Sequence, residues 1–312
     1  MKISIILPAY NEELTIKDVI TSFKKHLPQA YIYIIDNNSS DNTTKIAKAT
    51  LKKLKAKGDV FFVKEQGKAN AIRFAFSHID SDIYVMSDAD MTYPASEIKK
   101  LIQPVIDNQA DMAVGDRLSK GIYTKENKRK FHNLGNNLVK KMINVIFKAK
   151  LKDIMTGYRV FNKKFVKTYP ILVEGFELET DLTIHALDKR LRIVEVPIEY
   201  IDRPEGSESK LNTYVDGFKV VTRIFKLFKN YKPFYFFGLI STILFLAGLA
   251  CGTPVIIEFI KSSFIKHVPL AILATGLMIL AFLFLTIALI LDTIAKNHKF
   301  NFELQLVEFD KK

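Results

Sequence analysis

The sequence has no tryptophan and only one cysteine in 312 residues. Because Cys251 has no partner for an internal disulfide, the fold cannot depend on disulfide bonds. Histidine is also sparse, and His26, His132 and His185 do not have the spacing of zinc ligands. These absences exclude a disulfide-stabilised scaffold and argue against a zinc protein.

Charge is missing from two C-terminal segments, residues 233–257 and 268–291. Each is long enough to cross the hydrocarbon core of a bilayer as a helix, which takes about 20 residues. The connector 258–267 is too short for a domain, so we predict a hairpin of two transmembrane helices with both ends on one side of the membrane. The alternative is a pair of helices buried in a soluble core, although soluble helices seldom lack a polar face over this length.

The rest of the chain is strongly basic, with a net charge of +13, and basic residues cluster beside the hairpin. The positive-inside tendency predicts a cell-membrane protein whose N-terminal region and C-terminal tail lie in the cytoplasm. Residues 212–232 mix apolar and basic side chains, which favours an amphipathic helix in the membrane interface over an ordinary surface helix packed on a domain. A nucleic-acid partner is not expected, because the basic residues do not interleave with exposed aromatics. The flanking basic residues are Lys219, Arg223, Lys226, Lys229, Lys232, Lys296 and Lys299.

Residues 1–211 alternate short apolar runs with helical stretches, the pattern of an α/β domain with a mostly parallel sheet. We divide the chain into this domain, the juxtamembrane helix 212–232, the two membrane helices within 233–293 and a tail, 294–312. Ligands of such sheets bind at the carboxyl ends of the strands. The expected strands are 3–7, 31–35, 60–63, 83–87, 112–115 and 193–197, and the expected helices include 13–25, 43–55, 69–78, 96–108 and 180–189.

Two carboxylates, Asp88 and Asp90, follow the apolar run 83–86 where the fourth strand is expected to end. Carboxylate oxygens are suitable ligands for a hard divalent cation, and such a cation can bind the diphosphate of an activated donor. Acidic pairs are also common at strand ends as solvated turn formers. The pair therefore predicts a metal and diphosphate site, with a plain turn as the alternative.

Motifs at three strand ends resemble those of the inverting, nucleotide-sugar-dependent glycosyltransferases of family 2, which have a GT-A fold. These motifs are PAYNEE at 8–13, DNNSSD at 36–41 and DAD at 88–90. Further segments are similar to those of the polyprenyl-phosphate glycosyltransferases, a group that includes dolichyl-phosphate mannose synthase and the bactoprenol glucosyltransferases. They are QGKANA at 66–71, TGYR at 156–159 and RPEGSESKL at 203–211.

On the donor side, the resemblance implies nucleoside contacts from Pro8, Tyr10, Glu12 and Asp36, with Lys68 nearby as a further donor-binding residue. It also implies that the ribose, the diphosphate and a Mg²⁺ or Mn²⁺ ion bind at Asp88, Ala89 and Asp90, with the two carboxylates as metal ligands.

Three residues depart from the family pattern. Asn37 replaces a frequent second acid, Asn70 replaces a glycine, and Thr92 stands where mannose synthases often place a glutamine beside the metal. The departure at Thr92 favours UDP-glucose or a related UDP-sugar as donor, with GDP-mannose as the alternative.

On the acceptor side, a polyprenyl monophosphate is largely dianionic near neutral pH, because its second pKa is about 6. It needs charge neutralisation and in-line placement rather than a strong base, and arginine can supply both through bidentate contacts. The acceptor-phosphate candidates are Arg117, Arg129, Asn133, Arg203, Ser209 and Lys210, and for the basic ones the alternative is a solvated surface charge. The candidates for catalysis are Asp90, Arg117, Arg129 and Lys210.

A further acidic group consists of Glu177, Glu179 and Asp181. These residues either position the sugar hydroxyls or the leaving side, or interact with the N-terminal dipole of the helix 180–189. The expected function is metal-dependent, inverting transfer of a hexose from a nucleotide diphosphate sugar to polyprenyl phosphate at the cytoplasmic membrane face. The alternatives are a transferase acting on a polysaccharide or a protein, and a non-catalytic membrane scaffold with a relict donor site. The Gln-x-x-Arg-Trp motif of processive synthases is absent, and the sequence excludes neither a monomer nor a homo-oligomer.

Overall fold

A computed structural model of the chain describes residues 1–119, 130–171, 178–201, 225–226 and 228–311, with the backbone alone for 130–136 and 310. The chain divides into two compact units, 1–213 with 306–312, and 214–305. The strands are β1 (Ile3–Ala9), β2 (Tyr31–Asp36), β3 (Lys57–Phe62), β4 (Ile83–Met86), β5 (Met112–Asp116), β6 (Arg159–Asn162) and β7 (Ile193–Pro197). The helices of the first unit are α1 (Ile16–His26), α2 (Thr43–Lys53), α3 (Lys68–His78), α4 (Ile98–Ile106), α5 (Lys130–Phe147), α6 (Lys163–Thr168) and α7 (Leu178–Asp188).

The strands form one seven-stranded sheet in the order β3-β2-β1-β4-β6-β5-β7. Neighbouring strands are parallel except at β6, which is antiparallel to both β4 and β5. Helices follow most of the parallel strands and return the chain to the start of the next one, as parallel pairing requires. The predicted α/β domain with a mostly parallel sheet is confirmed.

The core lies between the sheet and its covering helices. On β1, Ile5 and Leu7 are fully buried, and they belong to the same apolar cluster as Ile16, Ile20 and Phe23 of α1. The spacing of these three α1 residues places them on one face of the helix. This packing fixes the start of α1, and with it the loop that leaves the carboxyl end of β1.

The strand β6 was not predicted from the sequence. It has only four residues and begins with Arg159, whose side chain is 0% exposed. A short segment that opens with a charge does not give the apolar signal of a buried strand. Its backbone instead completes the ladders of its neighbours, with Arg159 opposite Met86 on one side and Val114 on the other.

Two long helices follow, α8 (Pro233–Ser262) and α9 (Val268–Asp310). Each is long and apolar enough to cross a membrane, by length and composition. Only 11% of the most apolar window of each helix is buried, whereas the helices of a soluble core are mostly buried. The segment predicted as a tail, 294–312, continues as helix to Asp310.

The two long helices pack against each other through small residues. The Ser241 hydroxyl donates to the carbonyl of Ala281 at 2.8 Å, and a Cβ on Gly248 would lie 3.0 Å from Met278. Small side chains allow such close approach between helices in a membrane. Of the predicted amphipathic helix 212–232, residues 225–226 and 228–231 are helical, and 212–224 and 227 lie outside the described residues.

Candidate active site

The loops after β1, β2 and β4 meet at one edge of the sheet. In the parallel pair β1 and β2, Ala9 lies opposite Asp36, and the Asn37 N–H donates to the Ala9 carbonyl at 2.8 Å. On the other side of β1, the Ser87 N–H donates to the Ile6 carbonyl at 3.2 Å as β4 ends. The three motifs singled out in the sequence are therefore neighbours in the fold.

The nucleoside candidates on the first two loops differ in exposure. Pro8 is half-buried near the end of β1, whereas Tyr10 is exposed. Asp36 is buried, and its carboxylate accepts hydrogen bonds from the Ser39 N–H at 2.9 Å and from the Thr44 hydroxyl. Asp36 is thus held in a fixed orientation at the carboxyl end of β2.

A hydroxyl links the first loop to the third. The Thr15 hydroxyl donates to the Ala89 carbonyl at 2.7 Å and lies 3.0 Å from Glu12 Oε2. The Glu12 N–H donates to the Thr43 hydroxyl at 2.8 Å, at the start of α2. Glu12 and Ala89, both predicted on the donor side, are therefore tied together by short contacts.

Asn37, which stands where the family often has a second acid, bridges two loops. Its side-chain amide donates to the Glu65 carbonyl at 2.6 Å, while its side-chain oxygen accepts from the Gly67 N–H at 2.6 Å. A carboxylate can only accept, so an aspartate at this position would lose the first bond. The departure from the family pattern thus serves to hold the loop that precedes Lys68.

Asp90 is 2% exposed, and Thr92 anchors it. The Thr92 hydroxyl donates to Asp90 Oδ1 at 2.6 Å, and the Thr92 N–H donates to the same oxygen at 3.2 Å. The short threonine side chain thereby fixes the carboxylate directly.

Lys68, the first residue of α3, lies between two carboxylates. Its Nζ donates to Asp88 and, at 2.6 Å, to Glu179 on the first turn of α7. Burial alone lowers the pKa of Lys68, but the charges of Asp88 and Glu179 outweigh it, so the pKa is raised and the ammonium persists. The predicted donor-side lysine therefore contacts the predicted metal ligand.

Gly157 of the TGYR motif lies next to the ion pair of Lys68 and Asp88. A Cβ there would lie 2.8 Å from Asp88 Oδ2 and 2.9 Å from Lys68 Nζ, closer than ordinary van der Waals contact. The backbone can approach the charged pair this closely only because glycine has no side chain.

Arg117, the first residue after β5, makes a two-pronged ion pair with Asp153. Its Nε lies 2.7 Å from Asp153 Oδ2, and a terminal nitrogen lies 3.0 Å from Asp153 Oδ1. Its guanidinium also lies 5.6 Å from the centre of the Tyr200 ring. The predicted acceptor ligand is therefore held in one orientation by a carboxylate and an aromatic face.

Tyr93 connects Arg117 to the donor side. Its hydroxyl oxygen accepts the Gly157 N–H at 2.9 Å and lies 3.5 Å from a terminal nitrogen of Arg117. Burial raises the pKa of Tyr93 to about 12, so the hydroxyl keeps its proton near neutral pH. Sequence analysis missed both Tyr93 and Asp153, and the only available signal was their closeness to the DAD and TGYR motifs.

The buried Arg159 holds the segment that leads into Gly157. Its guanidinium donates to the carbonyls of Ile154 at 2.7 Å and Thr156 at 2.9 Å, and to the Thr183 hydroxyl of α7 at 2.9 Å. Burial lowers the pKa of Arg159 to about 10, which leaves it charged near neutral pH. Arg159 thus holds residues 154–156 in place between Asp153 and Gly157.

Several candidates cannot be placed. Arg129, Glu177, Arg203, Ser209 and Lys210 lie outside the described residues, as does the side chain of Asn133. The neighbouring acid Asp181 accepts a hydrogen bond from the Tyr169 hydroxyl at 2.6 Å.

The carboxylate oxygens at this edge of the sheet are suitable ligands for a hard divalent cation. Asp88 and Asp90 both follow β4 at this edge, and an ammonium group lies against Asp88. No cluster of three or more His, Cys, Asp or Glu side chains suited to a metal occurs among the described residues. Mg²⁺ typically uses one or two protein carboxylates and completes its shell with water and substrate phosphates, so two carboxylates are sufficient.

A parallel sheet that gathers acidic donor-site motifs at one edge defines a GT-A-type domain, the class implied by the sequence motifs. The model of the glycosyl transferase family 2 matches residues 4–169, and the chain belongs to this family. It is a glycosyltransferase, and its resemblance to the polyprenyl-phosphate group is confirmed by its relatives.

The chain is 27% identical to glycosyltransferase AglJ of Haloferax volcanii over 95% of both chains. It is 29% identical to a dolichol-phosphate mannosyltransferase of Pyrococcus furiosus, over 73% of this chain and 64% of the relative. Among solved structures, the fold is similar to glucosyl-3-phosphoglycerate synthase of Mycobacterium tuberculosis in complex with Mn²⁺ and UDP-glucose. That match has a TM-score of 0.55 and 20% identity, and covers 73% of this chain and 78% of the other.

Proposed function

We propose that this glycosyltransferase moves a hexose from a nucleotide diphosphate sugar to polyprenyl phosphate, with inversion at the anomeric carbon. The observation that carries the proposal is the contact chain from Asp88 through Gly157 and Tyr93 to Arg117. It joins a carboxylate suited to the donor side to an arginine suited to the acceptor phosphate. The similarity to a dolichol-phosphate mannosyltransferase supports the same class of acceptor.

In the proposed reaction, an oxygen of the lipid phosphate attacks the anomeric carbon and forms the new bond. The bond from that carbon to the donor diphosphate breaks, and the nucleoside diphosphate leaves with its electron pair. A divalent ion at Asp88 and Asp90 would neutralise charge on the leaving diphosphate. Arg117, oriented by Asp153, holds the incoming phosphate and reduces its repulsion from the donor. No proton has to be removed from a phosphate that is already dianionic.

The membrane hairpin fits this acceptor. The two long helices expose apolar side chains along their length, and basic residues flank them at 219–232 and at 296–299. We place the catalytic unit at the cytoplasmic face on that charge distribution. The roles of Arg129, Asn133, Arg203, Ser209 and Lys210 as acceptor-phosphate ligands rest on the family resemblance, and so do the nucleoside contacts of Pro8, Tyr10, Glu12 and Asp36.

For the donor, we favour UDP-glucose or a related UDP-sugar. Thr92 stands where mannose synthases often have a glutamine, and its hydroxyl donates a hydrogen bond to Asp90. The similarity to a mannosyltransferase keeps GDP-mannose as the competing donor. The test is to incubate the purified enzyme with polyprenyl phosphate and a panel of labelled sugar nucleotides. The nucleotide released, UDP or GDP, identifies the donor.

The decisive experiment supplies membranes containing the protein with labelled UDP- or GDP-sugars. The expected product is a solvent-extractable glycolipid that mild acid cleaves. Label that appears only in polysaccharide or protein would favour the alternative acceptors, and no transfer with any donor would favour a relict site.

Asp90→Ala should lower transfer by about 10³-fold while the protein stays folded, because charge stabilisation at the diphosphate is lost. Asp80→Ala is the matched control, since Asp80 is an exposed carboxylate paired with Lys163 at the surface. Asp80→Ala should keep the wild-type rate. Full activity of Asp90→Ala would remove this carboxylate from the mechanism.

A further inference from the structure

Lys68 has two carboxylate partners that come from distant parts of the sequence. Glu179 lies 111 residues after Lys68, and its Oε1 is 2.6 Å from the ammonium nitrogen. The side chains of Lys68, Asp88 and Glu179 are 18%, 27% and 10% exposed, so all three are largely removed from water. Two negative charges around one positive charge leave a net charge of −1 in this trio.

A divalent cation that binds at this site would compete with Lys68 for the carboxylate of Asp88. Asp88 is the predicted metal ligand, and in this structure Lys68 already occupies one of its oxygens. The Gly157 backbone lies close by, since a Cβ on Gly157 would lie 2.8 Å from the other Asp88 oxygen. A metal ion that bound the same Asp88 oxygen would displace the ammonium, and an ammonium left without a carboxylate in a buried site is strongly unfavourable.

We propose that Glu179 is a positioning residue that keeps Lys68 paired while a divalent cation replaces Lys68 at Asp88. The inference rests on the proposed function, since it concerns how that donor site is loaded. In the metal-free site Lys68 acts as a substitute cation. With a cation bound at Asp88, Lys68 would stay paired with Glu179 and would supply a second positive charge for the donor diphosphate.

Asp181 offers a matched control for this role. It lies two residues after Glu179, in the first turn of the same helix, and it also accepts a hydrogen bond, from Tyr169. Both acids are therefore similarly placed to interact with the dipole of α7. If Glu179 acted only on the helix dipole, neutralising either acid would have the same effect.

The test measures Mn²⁺ binding by full-length protein purified in detergent, without donor or acceptor. The electron paramagnetic resonance signal of free Mn²⁺ gives the dissociation constant directly. Glu179→Gln should weaken Mn²⁺ binding about tenfold, because Asp88 is then the only carboxylate left to hold Lys68. Asp181→Asn should stay within twofold of wild type.

A second substitution keeps the test informative if Glu179→Gln fails to fold. Lys68→Gln removes the competing ammonium and should tighten Mn²⁺ binding several-fold. In the Lys68→Gln background, the further change Glu179→Gln should alter Mn²⁺ binding less than twofold. This coupling between the two positions separates a role through Lys68 from a general electrostatic or folding effect.

Three results would overturn the inference: equal Mn²⁺ binding by Glu179→Gln and wild type, an equal loss in Asp181→Asn, or Mn²⁺ binding by Lys68→Gln that is no tighter than in wild type. Failure of the proposed function looks different. In that case the wild type itself would bind no Mn²⁺ or would transfer no sugar to polyprenyl phosphate.

Discussion

Replacing Gly157 with alanine adds one methyl group beside the charged pair of the donor site. The new Cβ would lie 2.8 Å from Asp88 Oδ2 and 2.9 Å from Lys68 Nζ, whereas ordinary contact begins at 3.4 Å. The carboxylate must therefore move by about 0.6 Å, or turn away from the methyl group. The φ angle of Gly157 lies outside the left-handed region, so alanine fits the backbone and the clash is the main effect.

A displacement of this size predicts a large kinetic effect and a small stability effect. Misplacement of a reacting group by about 1 Å can cost about 100-fold in rate, so we expect Gly157→Ala to lower kcat by about 10- to 100-fold. Overpacking typically costs about 1–3 kcal/mol of the free energy of unfolding, which leaves most of the protein folded. The Mn²⁺ concentration needed for half-maximal rate should also rise, because Asp88 is one of the two proposed ligands.

Initial rates of glycolipid formation by the purified protein, measured across a Mn²⁺ titration, check this expectation, and a thermal melt reports the folded fraction. Gly248→Ala is the control, since its Cβ would lie 3.0 Å from the flexible Met278 side chain within the helical hairpin. That variant should keep the wild-type kcat and Mn²⁺ dependence. The reasoning fails if fully folded Gly157→Ala transfers sugar at the wild-type rate with unchanged Mn²⁺ dependence.

Two further predictions concern stability. The buried Tyr158 hydroxyl has no hydrogen-bond partner among the described residues, so Tyr158→Phe should raise the free energy of unfolding by about 1 kcal/mol, and a lower melting temperature would contradict this. Burial raises the pKa of Asp111, but its hydrogen bonds with Arg192 outweigh burial and hold that pKa below the ordinary 3.8. Asp111 therefore stabilises the fold above about pH 4 and loses this effect as the pH falls through its folded pKa. Melting temperatures measured from pH 6 to pH 2 should fall less steeply for Asp111→Asn than for the wild type, and equal slopes would refute the assignment.

The strands that sequence patterns identified include those with an uninterrupted apolar core, although the predicted β7 carries Glu195 and is only half-buried. The run at 83–86 is buried at every position, and the similar run at 112–115 became β5. By contrast, β6 depends on partners on both sides, and its buried Arg159 is stabilised by carbonyls of its own preceding loop. Nothing local in the sequence distinguishes this arginine from an exposed one.

The candidate site was likewise predictable only where local sequence patterns determine it. The acidic motifs could be placed at one sheet edge because parallel strands end together, and Asp36, Asp88 and Asp90 do lie there. The pairs Lys68 with Glu179 and Arg117 with Asp153 join residues 111 and 36 positions apart. Such pairs depend on tertiary packing, which a single sequence does not reveal.

The reversed direction of β6 decides which loops can influence chemistry. Because β6 runs against β4 and β5, the segment that enters it arrives at the edge where those strands end, beside Asp88 and Arg117. The segment that leaves it at Asn162 lies at the opposite edge, next to Asp111. Evolution or laboratory selection of new acceptors is therefore expected to accumulate changes at 152–157, while the far edge is the place for labels and affinity tags.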